Sequence, residues 1–210
     1  MYAFDHFIGD SRKKFDQFFK NLINGMDNDH PKPKSIKITK SNSFPERGQV
    51  FDYCFEKRGP GTWMDWTDRI DKEKAAIPAN AKASDVIVQT ADTSRQIFFL
   101  ETFLSHEAPL LFCGPTGTGK SALTNNYLLA LPKERYLPNI INFSARTTAS
   151  QSQDIVMSKL DRRRKGVYGP ALGKKCVVFV DDLNMPAKEK YGAQPPIEVH
   201  FPYISFKVNF

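Results

Sequence analysis

Residues Gly114-Pro115-Thr116-Gly117-Thr118-Gly119-Lys120-Ser121 match the phosphate-binding pattern G-x-x-x-x-G-K-[ST] in full. Glycines at 114, 117 and 119 let a backbone turn tightly and bring its N–H groups up to phosphate oxygens. Lys120 can set an ammonium against β- and γ-phosphates, and Ser121 can offer a hydroxyl to Mg²⁺. The context suits that chemistry. Leu110-Leu111-Phe112-Cys113 predicts a buried strand before the loop. Ala122 to Leu129 predicts a helix after it, whose N-terminus adds partial positive charge. A glycine-rich turn with a chance lysine is the plain alternative, and the flanking strand and helix weigh against it.

A second group of chemically capable residues lies 60 positions on. Cys176-Val177-Val178-Phe179-Val180 is an unbroken apolar run that ends in Asp181-Asp182. Such a run predicts a strand buried on both faces, as in a parallel sheet. Carboxylates there are costly to bury unless they meet a cation or donors. Ligands of open α/β sheets sit at the carboxyl ends of strands, so Asp181 is placed to hold Mg²⁺, directly or through water. Alternatively, the two aspartates cap a turn or the next helix.

Elements must position these groups. Asn139 to Phe143 predicts a further strand. Gln151 to Leu160 predicts a helix burying Ile155, Val156 and Leu160. Asp92 or Thr93 can cap a helix to about Ser105 that buries Ile97, Leu100 and Leu104. Val86-Ile87-Val88 is a short extended segment. Further upstream, Phe4, Phe7, Ile8, Phe15, Phe18, Phe19, Leu22 and Ile23 recur at helical spacing, so 3–24 predicts one or two amphipathic helices. Residues 25–48 form a polar connector. Phe51, Tyr53 and Phe55 alternate with polar residues as in a strand. Gly59-Pro60-Gly61 then turns the chain, and Thr62 to Trp66 returns. Trp63 and Trp66 fit packing better than a binding platform. The basic run Arg162-Arg163-Arg164-Lys165 predicts a solvated surface turn, with a phosphate-backbone contact as the alternative.

Composition bounds the function. The 210 residues carry 30 Lys and Arg against 23 Asp and Glu, a net charge of +7, with 40% hydrophobic content. That charge is spread along the chain, so a nucleotide and ordinary surface solvation account for it. Cys54, Cys113 and Cys176 form no metal-ligand spacing and are expected as small buried hydrophobes in a reducing compartment. No run approaches the ~20 apolar residues of a membrane span, and the first fifteen residues do not resemble a signal peptide. A soluble intracellular protein is expected.

The strings GPTGTGKS, INFSART, IVMSKLDRRRKGVYGPALGKK, VVFVDDLNMP and YGAQPPIE together resemble an AAA+ module of a dynein heavy chain. The closest likeness is to the third module of axonemal, inner-arm-type chains. DDLNMP and YGAQPPIE are its specific parts, and PKPKSIKITK and FPERG resemble the segment before that module. The resemblance implies an α/β fold: a partial AAA+ P-loop NTPase parallel sheet with helices, preceded by a helical segment and an aromatic β-hairpin. It divides the chain into 1–48, the end of a preceding module; 49–84, hairpin and linker; 85–198, the first half of an AAA+ large subdomain; and 199–210, a tail unlike the family. It also implies ATP or ADP with Mg²⁺, bound by Gly114, Pro115, Thr116, Gly117, Thr118, Gly119, Lys120 and Ser121 as Walker A with Ala122 behind them. Asp181 becomes the Walker B aspartate, sharing the metal with Ser121, and Val86, Ile87 and Val88 line the adenine.

Two departures shape expectation. AAA+ enzymes place Glu after the Walker B Asp, where it polarises the attacking water. Asp182 is one methylene shorter, about 1.5 Å, and a displacement near 1 Å can cost about 10²-fold in rate. Tight binding with slow hydrolysis is therefore expected, with Asp182 a weak catalytic candidate. The family's remaining strands, sensors, arginine finger and lid do not follow Glu198, so a truncated product is expected, inactive alone. The implied partners are neighbouring modules of a ring and, through a parent, dynein intermediate and light chains and microtubules. No membrane or nucleic-acid partner is expected. The implied location is cytoplasm, cytoskeleton and the axoneme of cilium or flagellum. The competing functions are a stand-alone P-loop NTPase or kinase, a fragment that binds no nucleotide, and a nucleic-acid-dependent ATPase resting on 162–165 alone.

Overall fold

The computed structural model describes residues 10–31, 43–57, 59, 61–70 and 86–199. The chain divides into two units, Met1–Thr118 and Gly119–Phe210, with the boundary inside the glycine loop.

Aromatic packing organises the first unit. Helix α1 (Ser11–Asn24) carries Phe15 and Phe19 one turn apart, and the two rings lie 6.1 Å from each other. The expected helical stretch at 3–9 lies outside the described residues. α1 ends at Gly25 in the left-handed region, with Gly25 N–H donating to Leu22 O and Met26 N–H to Asn21 O. That pairing satisfies the last carbonyls in a Schellman ending. Phe15 meets Phe51 at 5.7 Å, and Phe19 meets Phe44 and Trp63 at 5.9 and 6.3 Å. Asp16 accepts from the Val50 N–H at 2.6 Å and pairs with Lys20 at 2.9 Å, while Lys20 also donates to Gly48 O.

Strands β1 (Tyr53–Glu56) and β2 (Thr62–Asp65) form the expected antiparallel hairpin, with Phe55 opposite Trp63. Phe51 stands just before it in a 3-10 turn, not in the strand. Both tryptophans pack. Trp66 is 5% exposed and its Nε1 donates to Phe51 O at 3.1 Å, an oxygen that also accepts from Arg95 Nη1 at 3.3 Å. Gly61 has φ +82, and a Cβ there would fall 2.3 Å from Phe55 Cζ. No other residue fits that turn beneath the ring.

Helix α2 (Ala91–Ser105) starts one residue before the expected cap. Thr90 and Thr93 exchange hydroxyl–backbone hydrogen bonds across the first turn, so Thr90 is the cap. Ile97, Leu100 and Leu104 are half-buried, and Ser94 is the buried residue of this helix. The strand expected at 110–113 does not form, and Leu111 is 53% exposed. A strand exists only where a neighbour takes its N–H and C=O groups, and each of the described sheets is a pair that excludes this segment.

The second unit contains the parallel pair. Helix α3 (Lys120–Ala130) buries Leu123, Thr124 and Leu128. Strands β3 (Tyr136–Asn142) and β6 (Lys175–Asp181) run parallel, with Ile141 opposite Val180 and Asn142 opposite Asp181. Between them the chain makes helix α4 (Ala149–Met157), capped by a reciprocal Thr148–Gln151 pair, and a small antiparallel hairpin of β4 (Asp161–Arg164) and β5 (Val167–Gly169). That hairpin replaces the surface turn expected at 162–165. Val167-Tyr168 offers β-prone partners, and Gly166 at φ +75 closes the turn.

Ile141, Phe143 and Val156 form the core, joined by Leu160, Val180, Leu183 and Ile197. Asn139, 2% exposed, donates to Ile155 O at 3.3 Å and ties α4 to the sheet. Ile155 itself is exposed, contrary to expectation. β6 is not buried on both faces either, since Val178 is 40% exposed. β6 has β3 on one edge and no described strand on the other, and a strand covered all round needs neighbours on both.

The Gly61 turn yields a stability test. Gly61→Ala should destabilise the first unit by about 1–3 kcal/mol through backbone strain and overpacking. Trp66→Phe should lose only about 1 kcal/mol of net hydrogen bonding, because Arg95 still serves Phe51 O. Denaturant titration followed by tryptophan fluorescence reports this unit, which holds both tryptophans of the chain. Equal midpoints for Gly61→Ala and the unaltered chain would contradict the packing account.

Candidate functional site: a phosphate loop facing a strand-end carboxylate

Gly117 and Gly119 both adopt φ +79, and a Cβ on either would meet nothing within 4 Å. Backbone conformation, not space, demands glycine there. Thr118 Oγ1 donates to Pro115 O at 3.1 Å and braces the loop. Gly119 stands at the N-cap of α3, and its carbonyl accepts from Leu123 N–H at 2.9 Å. Lys120 is thus the first helical residue, and Ser121 and Ala122 complete a first turn whose N–H groups point along the axis. Thr124 Oγ1 donates to Lys120 O at 2.8 Å and fixes the start of the helix.

The loop serine and the strand-end aspartate come together. Ser121 Oγ donates to Asp181 Oδ1 at 2.7 Å, across 60 residues of sequence. The Asp182 N–H donates to the same oxygen at 3.0 Å. Asp181 is half-buried at the last position of β6, where the Asn142 pairing and the Phe143 N–H to Asp181 O bond at 3.1 Å hold its backbone. Asp182 is exposed and takes φ +51, so the chain turns sharply off the strand. A hydroxyl and a carboxylate in contact form a hard-oxygen pair of the kind Mg²⁺ takes from proteins when phosphate and water supply its other positions. Among the described residues no three His, Cys, Asp or Glu side chains cluster as a self-sufficient metal cage.

The remaining candidates are less tightly placed. Gly114 is half-buried, whereas Pro115 through Thr118 are exposed. Val86 and Ile87 are half-buried and Val88 is 58% exposed, in a stretch outside any regular element. Sequence reasoning gave no part to Gln194. Its Nε2 donates to Pro186 O at 2.6 Å and to Asn184 O at 3.4 Å, pinning the loop that leaves Asp182. The only sequence signal was its place in YGAQPPIE. Ala187 N–H donates to Ala145 O, joining the loops after β6 and β3 at the same end of the sheet.

Comparison with known proteins places the chain in a family. The family described as "P-loop containing dynein motor region" matches residues 75–206, and "Dynein heavy chain AAA lid domain" matches residues 6–68. Dynein axonemal heavy chain 3 of Homo sapiens is 67% identical over 190 residues, which is 90% of this chain and 5% of that protein. Dynein axonemal heavy chain 12 of Rattus norvegicus is 49% identical over 191 residues, 90% of this chain and 6% of the other. Dynein axonemal heavy chain 1 of Homo sapiens is 43% identical over 171 residues, 74% and 4% respectively. The chain therefore spans about 5% of the length of such relatives.

The cysteines depart from expectation in a way that can be measured. Cys113, next to Gly114, is exposed, Cys176 is half-buried and only Cys54 is buried. Burial pushes the Cys176 thiol up, and the nearby Lys159 ammonium offsets only part of this. A raised thiol pKa leaves less thiolate at neutral pH and slows alkylation. Peptide mapping after brief iodoacetamide treatment at pH 7.5 should find Cys113 modified well before Cys176. The reverse order would contradict the placement of Cys113.

Proposed function

The chain belongs to the dynein heavy-chain family, and from that premise we propose that it forms the ATP-binding side of the third AAA+ module of an axonemal heavy chain. The Ser121–Asp181 contact carries this reading. Residues Gly114 to Ser121, with Ala122, wrap the phosphates of ATP or ADP. Lys120 neutralises the β- and γ-phosphates, and Val86, Ile87 and Val88 flank the adenine. Ser121 and Asp181 would hold Mg²⁺, which would supply neutralisation of the phosphate charge. Asp182 is the residue that orients water, and its short side chain makes turnover slow. The site then acts as a regulatory binding site within a ring of modules.

The same proposal extends to the parent heavy chain. A parent heavy chain acts as a microtubule motor with intermediate and light chains, in the axoneme of a cilium or flagellum. Among the described residues no helix is long and apolar enough to cross a membrane. One observation favours a second reading for the 210-residue chain by itself. Among the described residues the segment before the loop, 110–113, joins no strand, and a phosphate loop not seated on a sheet would hold nucleotide weakly.

A fluorescent ATP analogue titrated into the chain decides between them. Saturable, Mg²⁺-dependent binding is expected, and its absence would favour the second reading. Lys120→Ala should abolish that binding. Ser121→Ala should weaken the Mg²⁺-dependent part about tenfold, the worth of one charge-assisted contact. Asp182→Ala should leave affinity unchanged. Affinity indifferent to Lys120 would sink the site assignment. Rapid phosphate release that depends on Asp182 would refute slow turnover and support a stand-alone NTPase.

A further inference from the structure

The hairpin β4–β5 presents four cations in succession, Arg162, Arg163, Arg164 and Lys165, all exposed. Arg163 has a structural task. Its Nη2 donates to Pro170 O at 2.5 Å, and its Nε lies so close to Gly169 that a Cβ there would stand 2.7 Å away. Among the described residues, Arg162, Arg164 and Lys165 make no ion pair with an Asp or Glu. Three neighbouring like charges thus stand without an anion.

The register decides what shape that charge takes. Arg162 lies opposite Tyr168 and Arg164 opposite Val167, with a slip at Arg163. Residues opposed across a ladder share a face, and neighbours along a strand alternate. Arg162 therefore shares the face of Tyr168, and Arg164 the face of Val167. An unslipped strand would set both on one face. The bulge instead puts cations on both faces, with Lys165 at the tip beside Gly166.

We propose that β4–β5 is a docking finger that inserts into a carboxylate-rich stretch of a protein partner. Guanidinium groups grip carboxylates in bidentate fashion, and cations on two faces and a tip suit a polypeptide that surrounds them. A nucleic-acid duplex would meet one face and leave the other cation unmatched. Single strands use stacking platforms, whereas Tyr168, the one aromatic residue of the hairpin, is half-buried. The proposal does not depend on nucleotide binding by Lys120.

Fluorescence anisotropy of a labelled decaglutamate peptide with the full chain tests it. The R162E/R164E variant should lose at least tenfold in affinity. K133E/K188E, which makes the same charge change at two other exposed positions, should stay within threefold. R162Q/R164Q, which removes charge without adding repulsion, should also lose affinity while far-UV circular dichroism is unchanged, so that a folding defect is separable. No binding by the unaltered chain, equal losses in the control, or tighter binding of a duplex DNA of equal charge would each overturn the proposal.

Discussion

The hydrogen bond between Ser121 and Asp181 joins the two stretches of sequence on which the candidate site depends. Neither residue could reach the other without the elements behind it. Ser121 is aimed because Gly119 turns the chain into α3 and the buried Leu123, Thr124 and Leu128 anchor that helix. Asp181 is aimed because β6 pairs in parallel with β3, and the ladder runs one bond past the strand end. The core around Ile141, Phe143 and Val156 keeps that ladder in register. Shifting β6 by one residue would carry Asp181 to the opposite face.

Much of this could be read from residue types. The loop motif, the apolar run ending in two aspartates and the parallel pairing all have strong local signatures. So does the aromatic hairpin, whose alternation at Tyr53 and Phe55 and glycines at 59 and 61 specify strand and turn. What escaped was decided by neighbours. Leu110 to Cys113 has the composition of a strand, yet composition cannot supply a partner, and Cys113 is exposed in consequence. Val178 was expected to be covered for the same reason. The hairpin at 161–169 escaped because four charged residues read as a turn, while its partner strand is only three residues long.

Capping shows a finer version of the same limit. Asp92 and Thr93 are good caps by type, but Thr90 supplies a reciprocal pair with Thr93 and starts α2 earlier. Two hydrogen bonds outweigh one. Phe51 likewise belongs by pattern to the strand that follows, yet it sits in a turn where its carbonyl serves both Trp66 and Arg95. In both places the winning arrangement is the one that satisfies more backbone groups.

The backbone at Asp182 carries a consequence of its own. A left-handed φ of +51 is tolerated by aspartate and asparagine, whose short polar side chains can bond locally, and it costs longer side chains about 1–2 kcal/mol. Exchanging this aspartate for the glutamate of its AAA+ counterparts would therefore set reach against conformation. On the proposed role of this residue the lengthened carboxylate would favour water activation, while the same change would press the chain to leave its turn. On the role proposed for Asp182, chemical tempo would be coupled to loop geometry, and an accelerated variant would need a second substitution that relaxes the backbone after β6.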